Sequence, residues 1–328
     1  MSLQLIIVIA LALIFDFLNG VHGSSNIVAS MVSSRAFRPW AALTIIGTAE
    51  FVGPFLFGVA VARTVGAQIV DTDIVTLKIL IASLASCVLW NVLTWILGIP
   101  SSPSHGLVGG LVGATLIGAG TSALKIVGLV KVVIALFGTP LVSFGFGFGV
   151  TRLVLYLARN ETPRINEFFK EGQLVSAVVL ALSQASNDAQ KAMGVIVLGL
   201  IIADILPGFS VPLWVIAISA AGLALGTLFS GARLIRTMGG KFYKIRAVNS
   251  FSAQAGSLLL IILSSFTGLP VSTTQVVSSA VIGSGASERF GKIRWSAANT
   301  ILISWILTIP ATMAVASAAY WFLLKVTI

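Results

Sequence analysis

Apolar runs recur along the whole sequence, at 3–15, 41–62, 79–97, 126–157, 211–229 and 296–324. Several reach the roughly 20 residues that carry a helix across a bilayer. Between them there is too little charge to face water on all sides: Asp, Glu, Lys and Arg make up 9% of the residues, against roughly 25% in a soluble domain. The short alternating segments of an outer-membrane barrel are absent from the sequence, so helices must satisfy the backbone in lipid. The expected fold class is an all-α polytopic membrane protein.

The formal charge of +10 does not point to nucleic acid, because the basic residues fall in short clusters between apolar runs. Arg35 and Arg38 form one cluster; Arg233, Arg236, Lys241, Lys244 and Arg246 form another. Cytoplasmic loops of membrane proteins show this pattern. Cys87, the only cysteine, excludes an intrachain disulfide framework. The first apolar run has no Lys or Arg before it and no small-residue cleavage pattern after it, so it reads as a retained helix.

The chain repeats itself. GIPSSPSH (98–105) and GLPVSTTQ (268–275) align at an offset of 170, pairing Gly98 with Gly268, Pro100 with Pro270, Ser102 with Ser272 and Ser104 with Thr274. The offset then pairs Gly113 with Gly283, Pro140 with Pro310 and, upstream, Arg63 with Arg233, so more than 70 residues stay in register. Nearer the N-terminus an offset of 165 sets Gly23 against Asp188 and Asn26 against Lys191. Residues 1–160 are read as the first repeat, the charged stretch 161–172 as a linker, and 173–328 as the second repeat. Equivalent loops carry opposite charge bias: Arg35 and Arg38 face a counterpart around 204–212 with no basic residue, and the loop after Arg63 adds Asp71 and Asp73 where the loop after Arg233 adds only basic residues. That bias predicts two inverted-topology repeats, the plan of many secondary transporters. Each repeat is expected to contain a broken helix and a re-entrant hairpin.

The hairpins are the expected substrate site. In each half an apolar helix stops at Gly-x-Pro, passes through hydroxyl residues and restarts as a short, small-residue stretch, at 101–118 and 272–285. Neither restart is long enough to cross lipid, which places a helix N-terminus at membrane depth. Such a terminus attracts anions, and Ser102, Ser104, Ser272, Thr273 and Thr274 add hydroxyl donors. Any one of these residues alone would read equally well as a cap or an interhelical hydrogen bond; the duplication favours a shared oxyanion site.

Charged groups inside apolar segments are functional candidates by default. Asp188 and Lys191 stand three apart, close enough on a helix to pair. Asp188 could ligate a coupling cation, sodium if the transporter is sodium-coupled, with Asn187 and Asn26 adding carbonyl oxygens suited to a hard ion; Lys191 would stay near the anion. Asp16 and Glu50 are read as cation ligands or proton carriers, and His22 and His105 as polar neighbours of the site. The chain lacks GxxxxGK[ST], HExxH and GxSxG, so no catalytic residue is expected and the chain does not read as an enzyme.

Four segments, in order, resemble the inorganic phosphate transporter (PiT) family. FDFLNGVHGSSNIVASMVSSRA (15–36) is similar to the first-repeat signature FDFxNGxHDxAN, and ALSQASNDAQKAMGVIVLGL (181–200) to the second-repeat signature around GANDAQKAMG. GIPSSPSH and GLPVSTTQ resemble the family's hydroxyl-rich breaks. The resemblance implies a cation-coupled phosphate symporter built from inverted repeats. It places Asn26, Asn187 and Asp188 at the cation and phosphate site, with Ser102, Ser104, Ser272, Thr273 and Thr274 on the phosphate. The sequence departs from the pattern in having Gly23 for an aspartate, Gln275 for a histidine, and Pro103 within the first serine cluster. A sulfate or other oxyanion permease driven by protons is the alternative those departures leave, and an anion channel the next. Expected partners are phosphate, a co-transported sodium ion or proton, the lipid bilayer of the cytoplasmic membrane and a second copy of the chain in a homodimer; no nucleic acid and no cofactor are expected.

Overall fold

The structure, a computed structural model, describes residues 2–33, 37–99, 101–162, 164–230 and 245–325. The first half comprises α1 (Leu3–Ser33), α2 (Pro39–Val52), the short α3 (Ala60–Arg63), α4 (Leu77–Leu97), α5 (Pro103–Gly118) and α6 (Ile126–Leu157). The second comprises α7 (Ile165–Ile202), α8 (Leu213–Leu228), α9 (Ala247–Thr267), α10 (Thr273–Glu288) and α11 (Trp295–Lys325). Among the described residues α1, α4, α6, α9 and α11 are each long and apolar enough to span a bilayer. On α6, Val127, Ile134 and Leu141 recur every seventh residue with 86%, 66% and 76% of their surface open. An apolar stripe turned outward in this way is a lipid-facing surface, since burial against lipid replaces burial against protein.

Packing follows the repeat. The re-entrant helix of each half lies against the last helix of the other, α5 on α11 and α10 on α6. In the same crossed manner α1 packs on α8 and α7 on α2, and α4 meets α11 as α9 meets α6. Both long terminal helices carry an internal proline, Pro140 in α6 and Pro310 in α11. The glycines of the re-entrant helices press against these same stretches: Gly109 beside Ile309, and Gly283 beside Phe144.

The two breaks are built alike. Gly98 and Gly268 take left-handed φ values of 67° and 70°, a conformation open to glycine at little cost. The amides of the next residues, Ile99 and Leu269, donate back to the carbonyls of Thr94 and Ser264, at 2.9 Å in both cases. Each restarted helix, α5 and α10, has 16 residues, about 24 Å of rise against a hydrocarbon core of about 30 Å. They are therefore re-entrant, and they pack as hairpins on α4 and α9.

Several sequence expectations shift in detail. The apolar run at 41–62 is not one straight span: Pro39–Phe55 and Ala60–Gln68 meet at a bend of 69°, with Pro54 in the tight last turn of the first segment and Gly58, between the two, at a φ of 75°. Gln190 of α7 repairs the break, its Oε1 accepting from the Val61 amide at 2.8 Å and the Ala62 amide at 3.3 Å. The run at 211–229 forms a helix of only 16 residues. The stretch expected as a linker, 161–172, is helical from Ile165 onward, as the first turns of α7. Arg35, Pro100, Arg233, Arg236, Lys241 and Lys244 lie outside the described residues.

At the C-terminal end of α10, Glu288 accepts from Arg246 Nη2 and Asn249 Nδ2 on one oxygen and from Lys292 Nζ on the other, each at 2.6 Å. Burial alone would raise its pKa, but the hydrogen bonds from Lys292, Asn249 and Arg246 outweigh it and hold the carboxyl down to about 2. A depressed carboxylate stabilises the fold fully above its unfolded pKa of about 4.3 and loses that contribution as pH falls toward its folded value. In detergent, the unfolding midpoint of Glu288→Gln is expected to lie below that of the parent near neutrality and to converge with it on acidification. An equal gap at every pH would contradict the assignment.

Candidate functional site

The centre of the molecule is polar. On α1 the run from Asp16 to Met31 is buried throughout apart from Phe17, and on α7 burial is unbroken from Ser183 to Leu200. These runs bring Asn26 and Asn187–Asp188–Lys191 against the tips of α5 and α10.

The tips touch. Ser102, the N-cap residue of α5, donates from Oγ to Ser272 Oγ, the N-cap residue of α10, at 2.8 Å. Beside them Gln275 Nε2 lies 3.4 Å from both ring nitrogens of His105, and His105 Nδ1 lies 2.6 Å from Ser102 Oγ. Ser102 and Ser272 are 170 residues apart, as are His105 and Gln275. That is the repeat offset, and equivalent residues of two repeats can touch only on the axis relating them. The pseudo-twofold axis therefore passes through the two hairpin tips. Two helix N-termini, each equivalent to roughly half a positive charge, converge there.

The remaining expected residues close around this point. Ser104 Oγ donates to the Val271 carbonyl at 3.2 Å, and Asn26 Nδ2 to the Thr274 carbonyl at 3.1 Å. Asn187 Nδ2 donates to the Leu269 carbonyl at 3.1 Å. Thr273 Oγ1 donates to Asp188 Oδ2 at 2.6 Å, while Lys191 Nζ donates to Asp188 Oδ1 at 2.5 Å. Asp188 and Lys191 are each 1% exposed, so the pair is isolated from water and its attraction is little screened. The side-chain oxygens of Asn26 and Asn187 are buried without a hydrogen-bond partner. All the hydroxyl residues expected to meet the anion, and the asparagines and aspartate expected to meet a cation, are thus in one place.

Other residues sit at a remove. His22 bonds the Leu18 carbonyl through Nδ1 at 2.9 Å and reaches Thr94 Oγ1 at 3.4 Å; Thr94 in turn lies 2.7 Å from Ser101 Oγ. Asp16 and Glu50 lie against α8. Glu50 accepts from Thr227, and neither oxygen of Asp16, which faces Ser219, has a partner within hydrogen-bond geometry.

Gln184, Gln190, Thr94 and Ser265 join this network without being among the residues expected at the site. Gln184, Asp188 and Lys191 follow one another at helical spacing on one stripe of α7, and that polar stripe is the signal that identifies Gln184. A Cβ on Gly23 would stand 2.8 Å from Gln184 Nε2 and 3.5 Å from Asp188 Oδ2. Gln184 therefore occupies the room that a side chain at position 23 would need.

The sequence matches the Phosphate transporter family over residues 19–316. A probable low-affinity inorganic phosphate transporter of Rhizobium meliloti (strain 1021) is 39% identical over 315 residues, covering 95% of this chain and 94% of the relative. One of Bacillus subtilis (strain 168) is 37% identical, covering 97% and 96%. A solved structure described as the sodium-dependent phosphate transporter has the same fold, with a TM-score of 0.87 at 23% identity over 99% of this chain and 100% of that one. Two repeats crossed over a hydroxyl-lined axis, the family match along most of the sequence and full-length relatives all agree: the chain is a multi-pass membrane protein, a transporter and not an enzyme, and it belongs to the phosphate transporter family.

Proposed function

We propose that this chain imports inorganic phosphate across the cytoplasmic membrane, driven by a cation moving down its gradient. The observation that carries this reading is the contact of two hydroxyl-capped helix N-termini at Ser102 and Ser272, buried on the axis between the repeats. A tetrahedral oxyanion between them would accept from Ser102, Ser104, Ser272, Thr273 and Thr274, from the amides of two helix first turns and from Lys191. Movement of repeat 1–160 against repeat 173–328 would expose that point to each side in turn.

A phosphate anion crossing the low-dielectric interior needs its charge offset. Asn26 and Asn187 leave side-chain oxygens unpartnered beside the Asp188–Lys191 pair, where the ammonium already supplies one compensating charge. Asp16 and Glu50, buried against α8, are the further carboxylates available to take up a coupling ion, because a buried carboxylate is costly unless a cation or proton compensates it.

The test uses the purified chain in proteoliposomes with labelled phosphate. Under an imposed proton or sodium gradient the expected result is uptake against the phosphate gradient, unaffected by excess sulfate. Downhill flux alone would indicate a channel, and competition by sulfate a general oxyanion permease.

A further inference from the structure

We infer that the ammonium of Lys191 is the resident cation of the Asp188 site, a tethered replacement for a mobile metal ion, so that phosphate transport by this chain requires no sodium at Asp188. The inference rests on the phosphate reading above and specifies its coupling. Four observations carry it.

Both oxygens of Asp188 are engaged, one by Lys191 Nζ at 2.5 Å and the other by Thr273 Oγ1 at 2.6 Å. A sodium ion on this carboxylate would have to sit beside a buried ammonium of like sign. Second, the opposite wall offers no second carboxylate. Position 23, which the repeat sets against Asp188, is glycine, and the space its side chain would take is filled by the neutral amide of Gln184.

Third, the oxygens left without partners here, among them Asn26 Oδ1, Asn187 Oδ1 and Gln184 Oε1, are neutral amide oxygens. Beside a carboxylate already compensated by an ammonium they make a poor set for a hard cation, which takes six or so oxygen ligands and gains most from anionic ones. Fourth, the repeat confines the charge to one half. Asp188 is opposite Gly23 and Lys191 opposite Asn26, so the second half carries both members of a self-neutral pair and the first half carries neither. Losing one carboxylate and gaining one ammonium within the same constellation removes the electrostatic need for one bound sodium.

The ammonium also has a role that a metal shares. It has three N–H donors, one of them spent on Asp188, and the hydroxyl of Thr273 beside it belongs to the first turn of α10. Phosphate arriving at that turn meets Lys191 directly, and the cation is then shared between Asp188 and the substrate.

The experiment compares the full-length parent with Lys191→Asn in proteoliposomes. Labelled phosphate uptake is measured under a fixed proton gradient, in sodium medium and in choline medium of equal ionic strength. The parent is expected to transport equally in both. Lys191→Asn, which restores the residue found at the repeat-equivalent position 26, is expected to lose uptake in choline and regain it about tenfold in sodium, within the usual range of coupling between two ligands. Because the variant could fail to transport for other reasons, the unfolding midpoint of both purified proteins is also followed against sodium concentration. Sodium should raise it for Lys191→Asn and for Gly23→Asp/Lys191→Asn but not for the parent.

A parent whose uptake depends on sodium, or variants with no sodium response in either measurement, would overturn the inference. Absence of phosphate uptake by the parent in every medium would instead overturn the phosphate reading, and the midpoint titration would still report on Lys191.

Discussion

Asp188→Asn is expected to abolish phosphate uptake while leaving the chain inserted in the membrane. The substitution keeps the shape of the side chain and removes its charge, leaving the Lys191 ammonium, 1% exposed, without a counter-ion. Breaking a buried pair from one side costs about 3–5 kcal/mol, equivalent to roughly two to four powers of ten in an equilibrium constant. Part of that cost falls on the tip of α10, because Thr273 donates to the same carboxylate. A second variant separates instability from lost function. Asp188→Asn/Lys191→Met removes both charges with little change in volume and is expected to recover the unfolding midpoint of the parent but not its uptake. Parental uptake in Asp188→Asn would remove Asp188 from the transport cycle.

Gly283→Val is expected to have the second large effect, through packing instead of charge. A Cβ at Gly283 would stand 3.0 Å from the carbonyl carbon of Phe144 and 3.1 Å from its Cα. At the repeat-equivalent Gly113 it would stand 2.6 Å from the Cα of Met313. Both obstacles are backbone, which no rotamer change relieves. Overpacking costs about 1–3 kcal/mol where side chains can adjust, and more where they cannot. Relief requires α10 to move off α6, displacing Ser272 and Thr273 from the axis. The expected outcome is aggregation or loss of a monodisperse species on size exclusion in detergent. Gly138→Val is the control, since nothing lies within 4 Å of a Cβ at Gly138, and it should behave as the parent. Equal behaviour of Gly283→Val and Gly138→Val would show that the close approach is not needed.

Much of this arrangement is legible in the sequence because lipid imposes simple rules. Apolar length gives the spans, and Gly-x-Pro followed by hydroxyl residues gives the two breaks, confirmed by the left-handed glycines at 98 and 268. The offset of 170 names in advance residues that prove to touch, Ser102 with Ser272 and His105 with Gln275. The bend after α2 was not legible in the same way. Its broken backbone is repaired by Gln190, 128 or more residues away, and no local pattern announces a partner at that distance. The pairing of Asp188 with Lys191 follows from helical spacing, but the hydroxyl of Thr273 on the second oxygen, 85 residues on, does not. Gly23 shows the limit most clearly. As sequence it is a missing carboxylate; in space it is a position that the neighbouring Gln184 has closed.

The contact of Ser102 with Ser272 on the pseudo-twofold axis bears on how the transporter treats its two faces. In an inverted repeat, the inward-open and outward-open states interchange the conformations of the two halves. A pair lying on the axis merely trades places with itself, so these hydroxyls present the same donors to an ion arriving from either compartment. Any difference in half-saturation between the two sides must then arise off the axis, where the halves differ chemically. Asp188 with Lys191 opposite Gly23 with Asn26 is such a difference, and any asymmetry between the two directions of transport is expected to be set there and not by the hydroxyls on the axis.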